Sequence, residues 1–191
     1  MPSFRESNAI ERASGAHVGL PVTIPGALNN SVGLAPSTFA THNAGGPDRL
    51  YAQNHGGVYR SDDAGTRWTS IADGLPADFG FPIVSSPHTP GTAWVIPLVA
   101  DMQRVPPDGR LRVHRTRDAG ETWTELGAGL PDGVWTSVLR DAMCTDEGEP
   151  TGVYFGTRDG CVYASPDEGE TFTLVVDHLP DVLTVRAARL P

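Results

Sequence analysis

One short pattern occurs three times in this chain of 191 residues and constrains its fold more than any other feature. The pattern is Ser/Thr-x-Asp-x-Gly-x-x-aromatic, and its copies occupy residues 61–68, 116–123 and 165–172. A spacing of about 50 residues is typical of a small four-stranded unit repeated along a chain. The repeated positions are Ser61, Asp63, Gly65 and Trp68, then Thr116, Asp118, Gly120 and Trp123, then Ser165, Asp167, Gly169 and Phe172.

Each copy has the residue types of a β-hairpin turn. The aspartate carboxylate can accept backbone N–H groups across the turn, and the glycine two positions later can adopt a positive φ. The aromatic residue begins the returning strand and is expected to pack beneath the turn. Because an aspartate recurs at every turn, we interpret Asp63, Asp118 and Asp167 as structural residues rather than catalytic carboxylates or calcium ligands.

Two further short strands precede each hairpin, the first of them the more apolar. Four antiparallel strands per repeat make a propeller blade. The sequence therefore predicts an all-β fold, a partial β-propeller of about three four-stranded antiparallel blades plus a terminal inner strand. The predicted upstream strands lie at 37–40 and 49–53, then 82–85 and 93–96, then 136–139 and 152–155, and the terminal strand lies at 183–188.

The composition agrees with a β protein rich in turns. The chain has 22 glycines and 17 prolines, and aromatic residues make up 7% of it. No apolar run reaches the roughly 18 residues of a membrane span, which argues against an integral membrane protein. A chain of this length buries about 70% of its unfolded surface, so a core can form without disulfides. We interpret Cys144 and Cys161 as small buried apolar residues.

The charge balance bears on partners and location. The formal net charge is −9, and the 14 basic residues are all arginine. An acidic protein of this kind repels nucleic acid and anionic lipid, so neither is expected as a partner. The first residues lack an apolar stretch followed by a small-residue cleavage site, and we expect a cytoplasmic protein.

The three turns resemble Asp boxes, the BNR repeats of bacterial neuraminidases, sortilin-like ectodomains and many bacterial β-propellers. From about residue 48 to 190 the chain resembles bacterial sialidase-like proteins, also named BNR-repeat glycosyl hydrolases. The resemblance implies that the turns lie on the outer rim, away from the binding face. The matching segments are residues 48–63, 76–82, 104–110 and 152–157.

The chain departs from that family in its number of blades. Such propellers normally have six or seven, whereas three are predicted here, so the chain resembles a C-terminal half. We predict a partial propeller over residues 34–191. Residues 1–33 form a poorly assignable segment with short apolar pieces at 14–21 and 24–26. A truncated gene product, a split protein and a swapped assembly all remain open.

Antiparallel order places the loops between second and third strands, together with the crossovers between blades, at the end opposite the repeated turns. Binding residues are expected there. Arginine side chains can hold an anion, and phenylalanine rings can stack on a sugar. The alternative is an ordinary set of solvated loops. The candidates are Asn54, His55, Phe79, Phe81, Arg104, Asp108, Arg110 and Arg158.

Other chemistry is weakly supported. The chain has no pair of histidines with metal-ligand spacing, so neither a metal nor a cofactor is expected. Tyr59 and Tyr163 recur at equivalent positions and are interpreted as packing residues. Cys144 lies beside an acidic turn that should raise the pKa of its thiol, which makes it a poor nucleophile.

Three classes of function remain, and no catalytic residue can be assigned. We rank a propeller that binds carbohydrate or protein, or a truncated remnant, above a sialidase-like glycoside hydrolase active only with its missing blades. A sialidase needs groups from many blades, and the Phe/Tyr-Arg-Ile-Pro motif is missing. A half-propeller is also expected to self-associate or to bind a complementing half, because it leaves unpaired strand edges at its first and last blades and exposes the apolar inner strands around Val84, Val138 and Val185.

Overall fold

The computed structural model describes residues 48–188 in full, and before them the backbone of residues 9–11, 17–19 and 40–43. Within these residues the regular structure is almost all β, with a single 3-10 turn at Pro107–Gly109 and no α-helix. None of the described residues form a helix with the length and apolar character needed to cross a membrane. The predicted all-β class is therefore confirmed.

Twelve of the strands form three antiparallel sheets of four, and each sheet keeps the order of the chain. We call these sheets blades 1, 2 and 3. Blade 1 contains β3 (Ala40–Asn43), β4 (Leu50–Asn54), β5 (Gly57–Ser61) and β6 (Thr69–Ser70). Blade 2 contains β7 (Gly80–Ser85), β8 (Ala93–Pro97), β9 (Val113–Thr116) and β10 (Thr124–Leu126). Blade 3 contains β11 (Met143–Thr145), β12 (Val153–Gly156), β13 (Val162–Ser165) and β14 (Thr173–Val176).

The core lies between the blades. Tyr51, Val58 and Ile71 of blade 1 pack with Ile83 and Val95 of blade 2. A second cluster joins Trp94, Val113 and Leu126 of blade 2 to residues of blade 3 that include Phe155 and Phe172. Because both faces of the middle sheet are covered, β7 and β8 are buried along their whole length and are mostly apolar, while β9 buries the polar residues His114, Arg115 and Thr116.

The repeated turns, which we call the Asp turns, each lie between the third and fourth strands of a blade. In the first, the Ser61 hydroxyl accepts the N–H of Gly65 at 2.8 Å, and the Asp63 carboxylate accepts the N–H of Arg67 at 2.7 Å. Ala64 and Gly65 both have positive φ values, 56° and 89°, which is the backbone of a type I′ hairpin turn. The same contacts recur in the other two turns. The predicted positive φ of the glycine is confirmed.

Two predicted strands are wrong. Residues 136–139 are not a strand, and the inner strand of blade 3 is β11 instead. The backbone carbonyl of Ser137 accepts the N–H of Arg158, so this buried stretch is bonded to the β12–β13 loop. Residues 183–188 are also not a strand, since the N–H of Val185 donates to the carbonyl of Asp141 without a continuing ladder. The first predicted strand, 37–40, lies largely outside the described residues, and β3 begins at its last position.

The N-terminal segment contains one structural feature that its sequence did not predict. Strand β1 (Ala9–Glu11) pairs antiparallel with β2 (His17–Gly19). The second predicted apolar piece, residues 24–26, lies outside the described residues. The boundary between residues 33 and 34 stays a prediction.

The expected exposure of the inner strands is wrong for two of its three residues. Val84 and Val138 are buried, because neighbouring blades cover them, and Val185 is half-buried. In blade 3, exposed apolar side chains lie instead on the outermost strand, where Leu174, Val175 and Val176 are all exposed.

Candidate functional site

The loops opposite the Asp turns meet at one end of the blades, which we call the loop face. It contains the β4–β5, β8–β9 and β12–β13 loops and the crossovers that enter β7 and β11. An apolar cluster of Phe79, Phe81 and Leu98, with Leu139 packed against it, supports this end. The cluster fixes the crossovers of blades 2 and 3 against the β8–β9 loop.

His55 completes an aromatic triangle on this cluster. Its ring centroid lies 5.1 Å from that of Phe79 and 5.7 Å from that of Phe81, and the two phenylalanine rings are 5.4 Å apart. Both phenylalanines are buried. Their faces are therefore occupied by neighbours, and they support the surface without offering open rings to a sugar.

Arg104 lies over the same triangle. Its guanidinium carbon is 5.2 Å from the centre of the Phe81 ring, within the range of a cation–π contact. The guanidinium donates to the carboxylate of Asp101 at 2.6 Å, and that carboxylate is 3.8 Å from Nδ1 of His55. Asp101 was not among the sequence candidates, although its spacing of three residues from Arg104 could have indicated the pair.

Asn54 shapes the β4–β5 turn. Its Oδ1 accepts the N–H of Gly56 at 2.6 Å, while its Nδ2 is buried without a hydrogen-bond partner among the described residues. The hydroxyl of Tyr59 donates to the carbonyl of Gly56 at 2.7 Å. The packing interpretation of Tyr59 agrees with this contact and with the burial of its ring.

Asp108 and Arg110 lie in a second part of the loop face, next to Trp135. Arg110 is 3.3 Å from Glu125 and 3.6 Å from Asp132. Gly109 has a φ of 65°, and a Cβ there would be 2.9 Å from the indole of Trp135. Trp135 is 68% exposed, yet it was not a sequence candidate. Its position in the crossover before β11, like that of Phe79 before β7, could have indicated it.

Arg158 is separate from both groups. Its guanidinium pairs with Asp181 at 2.9 Å, which ties the β12–β13 loop to the segment after β14. The structure thus brings together Asn54, His55, Phe79, Phe81 and Arg104, and it leaves Asp108 and Arg110 in one neighbouring group and Arg158 in another.

Arg140 is the arginine of residues 48–188 that lacks an ion pair with a carboxylate. It follows Leu139 at the edge of the apolar cluster. Its Nε is buried and has no hydrogen-bond partner among residues 48–188. Burial lowers the pKa of Arg140, although an arginine remains charged at neutral pH. The sequence could not indicate this residue, because pairing depends on which carboxylates the fold brings near.

The carboxyl groups with displaced pKa values lie at the opposite end. Hydrogen bonds from the backbone and side chain of Arg67 lower the pKa of Asp63, and those from the hydroxyl and backbone of Thr122 lower that of Asp118. Hydrogen bonds also lower the pKa of Asp167 against the effect of burial. The predicted structural role of these three aspartates is consistent with these contacts.

The four tyrosines and Cys144 share one electrostatic feature, a raised pKa. Burial raises the pKa of Tyr51 and Tyr59 and raises that of Tyr163 to about 12, while the hydrogen bond with Asp146 raises the pKa of Tyr154 to about 12. Burial is also the largest cause of the raised pKa of Cys144, ahead of its acidic neighbour. The predicted direction for Cys144 is therefore right, but its main cause is different.

Comparison with known proteins supports the fold. No family model matches the chain, and no curated protein sequence matches it. A structure of YCF48 bound to a D1 peptide matches with a TM-score of 0.55 and 15% identity, over 76% of this chain and 43% of that one. The GH74 xyloglucanase from Xanthomonas campestris matches with a TM-score of 0.54 and 21% identity, over 70% of this chain and 20% of that one. An ancestral GH74 enzyme matches with a TM-score of 0.53 and 16% identity, over 73% of this chain and 18% of that one.

These relatives are β-propeller proteins, and the described part of this chain has the same fold, seen as three successive blades. At such low identities the likeness concerns the fold alone. The chain spans less than half the length of each of these three relatives.

Proposed function

We propose that this chain is part of a propeller-type binding module and that its loop face binds a peptide bearing a carboxylate. The observation that carries the proposal is that the loops of this face contain exposed Trp135, exposed Met102 and an arginine, Arg140, without a carboxylate partner among residues 48–188. Tryptophan, methionine and arginine are the residue types enriched in protein–protein interfaces.

The apolar part of this surface comes from two loops. Met102 is 93% exposed at the tip of the β8–β9 loop, and Val99 is exposed at the start of that loop. One face of the Trp135 ring packs on Gly109, while most of the side chain remains exposed. A rigid aromatic side chain and a flexible thioether can both bury area against a peptide at a small cost in entropy.

The polar part favours an anion. Arg104 is neutralised by Asp101, whereas Arg140 has no carboxylate partner among residues 48–188. A ligand carboxylate would give Arg140 the charge-assisted hydrogen bond that the described chain does not supply. A peptide with an acidic side chain provides both this group and apolar neighbours for Trp135 and Met102.

The displaced pKa values of the described residues do not have the directions that hydrolysis needs. A glycosidase that works with two carboxyl groups needs one of them, the general acid, to have a raised pKa. A glycosidase that works with a tyrosine nucleophile needs the phenol of that tyrosine to be activated. The aspartates with displaced pKa values all have lowered values, and the four tyrosines all have raised ones. One of the similar structures is of YCF48 bound to a D1 peptide, which is compatible with this proposal.

The test compares two immobilised libraries of random decapeptides that differ at two fixed positions, Glu in one and Lys in the other. We expect the full chain to bind the Glu library, and its affinity to fall about tenfold in Arg140→Gln and in Trp135→Ala. Arg67→Gln is the matched control, because it removes an exposed arginine at the opposite end. Fluorescence polarisation with single peptides taken from the library gives the dissociation constants.

Two outcomes would overturn the proposal. One is equal binding to both libraries with no effect of Arg140→Gln. The other is binding on a glycan array without binding to either library, which would favour the carbohydrate-binding alternative.

A further inference from the structure

Each interface between blades uses one apolar triad. The triad on blade 1 is Tyr51, Val58 and Ile71, which faces blade 2, and the triad on blade 2 is Trp94, Val113 and Leu126, which faces blade 3. The last members, Ile71 and Leu126, are only 5% and 6% exposed. The glycine of the next Asp turn lies directly on each of them. A Cβ on Gly120 would be 2.6 Å from Ile71, and one on Gly169 would be 2.9 Å from Leu126.

The third triad is open. In blade 3, strand pairing places Val162 opposite Val176, just as it places Val113 opposite Leu126 in blade 2. The blade 3 residues equivalent to the two triads are therefore Tyr154, Val162 and Val176. Val176 is 39% exposed, and Tyr154 and Val162 are half-buried. The segment after β14 fills only the inner part of this face, where Val182 lies against Gly156. The outer part of the blade 3 face has the residue types of an interface between blades, and no blade formed by the described residues covers it.

The charges at the interfaces give a second observation. Arg60 of blade 1 hydrogen-bonds the carbonyl of Ala119 and lies 3.3 Å from Glu121 in the next Asp turn. Arg115 of blade 2 likewise bonds the carbonyl of Glu168 and lies 2.7 Å from Glu170. The residue equivalent to these arginines in blade 3 is Ala164.

The first Asp turn lacks the other half of this pair. Thr66 occupies the position of Glu121 and Glu170. If blade 3 of one copy packs against blade 1 of another, both charges of the pair are absent from the contact. No arginine or glutamate is therefore buried there without its partner.

The tryptophan of the first Asp turn is a third observation. The indole of Trp123 donates across the interface to the carbonyl of Ile71 at 2.7 Å. The indole of Trp68 instead donates within its own turn, to the carbonyl of Gly65 at 3.0 Å. Ala64 and Trp68 are half-exposed, whereas Leu50 and Ala52 on the inner part of the same face are buried. Gly65, between Ala64 and Trp68, is buried, with the Trp68 ring 3.7 Å from its Cβ position, so this outer part of blade 1 opens for contact when that ring moves.

We propose that the open triad of blade 3 binds the first Asp turn of a second copy of this chain. In this contact Gly65 of the second copy covers Val176, and Trp68 can turn its indole to the carbonyl of that residue. Two copies, each with three described blades, would close a ring of six, which is within the range of four to eight blades seen in propellers. The contact is head to tail, so it forms a ring only if the second junction closes. It is independent of the proposed peptide site.

The test is sedimentation equilibrium of the full chain with two matched variants on one strand. We expect the wild type to have twice the chain mass, and Val176→Glu to raise the dissociation constant at least tenfold. Leu174→Glu is the control, because residue 174 points to the opposite side of the strand and blade 2 has Glu125 at its equivalent. We expect this control to leave the mass unchanged.

A gain-of-affinity pair keeps the proposal testable if Val176→Glu fails to fold. Ala164→Arg with Thr66→Glu rebuilds, across the proposed junction, the pair that Arg115 and Glu170 form within the chain. We expect each single variant to change the dissociation constant less than twofold and the double variant to lower it about tenfold.

A wild type that stays monomeric, a dimer that survives Val176→Glu, or equal losses in Val176→Glu and Leu174→Glu would each overturn the proposal. A series of larger species would overturn the closed pair. The absence of coupling between residues 66 and 164 would show that the first Asp turn is not the contact.

Discussion

The Asp turns and the loop face lie at opposite ends of the same blades and use their polar groups in opposite ways. At the Asp turns, the hydroxyls of Ser61, Thr116 and Ser165 each accept the glycine N–H of their own turn. On the loop face, Asn54 and Arg140 keep buried donor atoms without partners among the described residues. Groups that are satisfied and repeated stabilise the fold, whereas unrepeated and unsatisfied ones are where a ligand can add contacts.

The largest expected effect is at a turn glycine. Gly120 has a φ of 91°, and a Cβ there would lie 2.6 Å from Ile71 of the preceding blade. Gly120→Ala combines backbone strain with overpacking and should lower the free energy of unfolding by about 3 kcal/mol. Gly74→Ala is the matched control, since Gly74 has a φ of 88° with nothing within 4 Å of its Cβ position. It should cost about 1 kcal/mol.

Urea unfolding followed by circular dichroism measures both changes. Equal losses in the two variants would mean that the contact with Ile71 contributes nothing and that the turns do not lock adjacent blades together.

The next effect concerns which side chain holds the turn. Thr116 is fully buried, and its hydroxyl accepts the N–H of Gly120 at 2.7 Å. Thr116→Val leaves that buried donor unsatisfied and should cost about 1–3 kcal/mol. Asp118 is exposed, so Asp118→Ala should cost less than about 1 kcal/mol, because water replaces the carboxylate as acceptor. A larger loss of thermal stability in Asp118→Ala than in Thr116→Val would show that the aspartate contributes more than the threonine to holding the turn.

The effect of Asp118 should also depend on pH. Its folded-state pKa lies below the ordinary value of 3.8, so the carboxylate contributes stability above that value. This contribution is lost as the pH falls through the folded-state pKa. The difference between wild type and Asp118→Ala should therefore shrink as the pH falls below about 3.8, while that for Thr116→Val should not. Parallel acid titrations of the two variants would contradict this assignment.

The sequence predicted the turns and hairpins well because their contacts are local. The positive φ of Gly65, Gly120 and Gly169 follows from residue type within a few positions. The inner strand of blade 3 was misplaced because residues 136–139, which are Thr-Ser-Val-Leu, have residue types that suit a strand but are buried in a different way. They are buried against the β12–β13 loop, a contact that no local pattern records.

The candidate site was predicted in part for the same reason. Loop order alone indicates that His55, Phe79 and Arg104 share one end of the blades. The burial of the phenylalanine rings, the pairing of Arg104 with Asp101 and the isolation of Arg140 depend on distances between blades. Trp135 was missed although its place in the crossover before β11 could have indicated it; its exposure depends on how that crossover packs on Gly109.

The smallest expected change in stability is at Arg140. Its guanidinium has no carboxylate partner within residues 48–188, so Arg140→Gln breaks no ion pair there. Replacing a half-buried, unpaired cation with a neutral amide also removes a desolvation cost. We therefore expect the free energy of unfolding to change by less than about 0.5 kcal/mol, with any change tending towards higher stability. Urea unfolding checks this, and a loss of more than about 1 kcal/mol would place Arg140 with the structural groups of the Asp turns instead of with the ligand-binding ones. The same variant should lose peptide binding, and this separation of stability from binding is the sharpest difference expected between the two ends of the molecule.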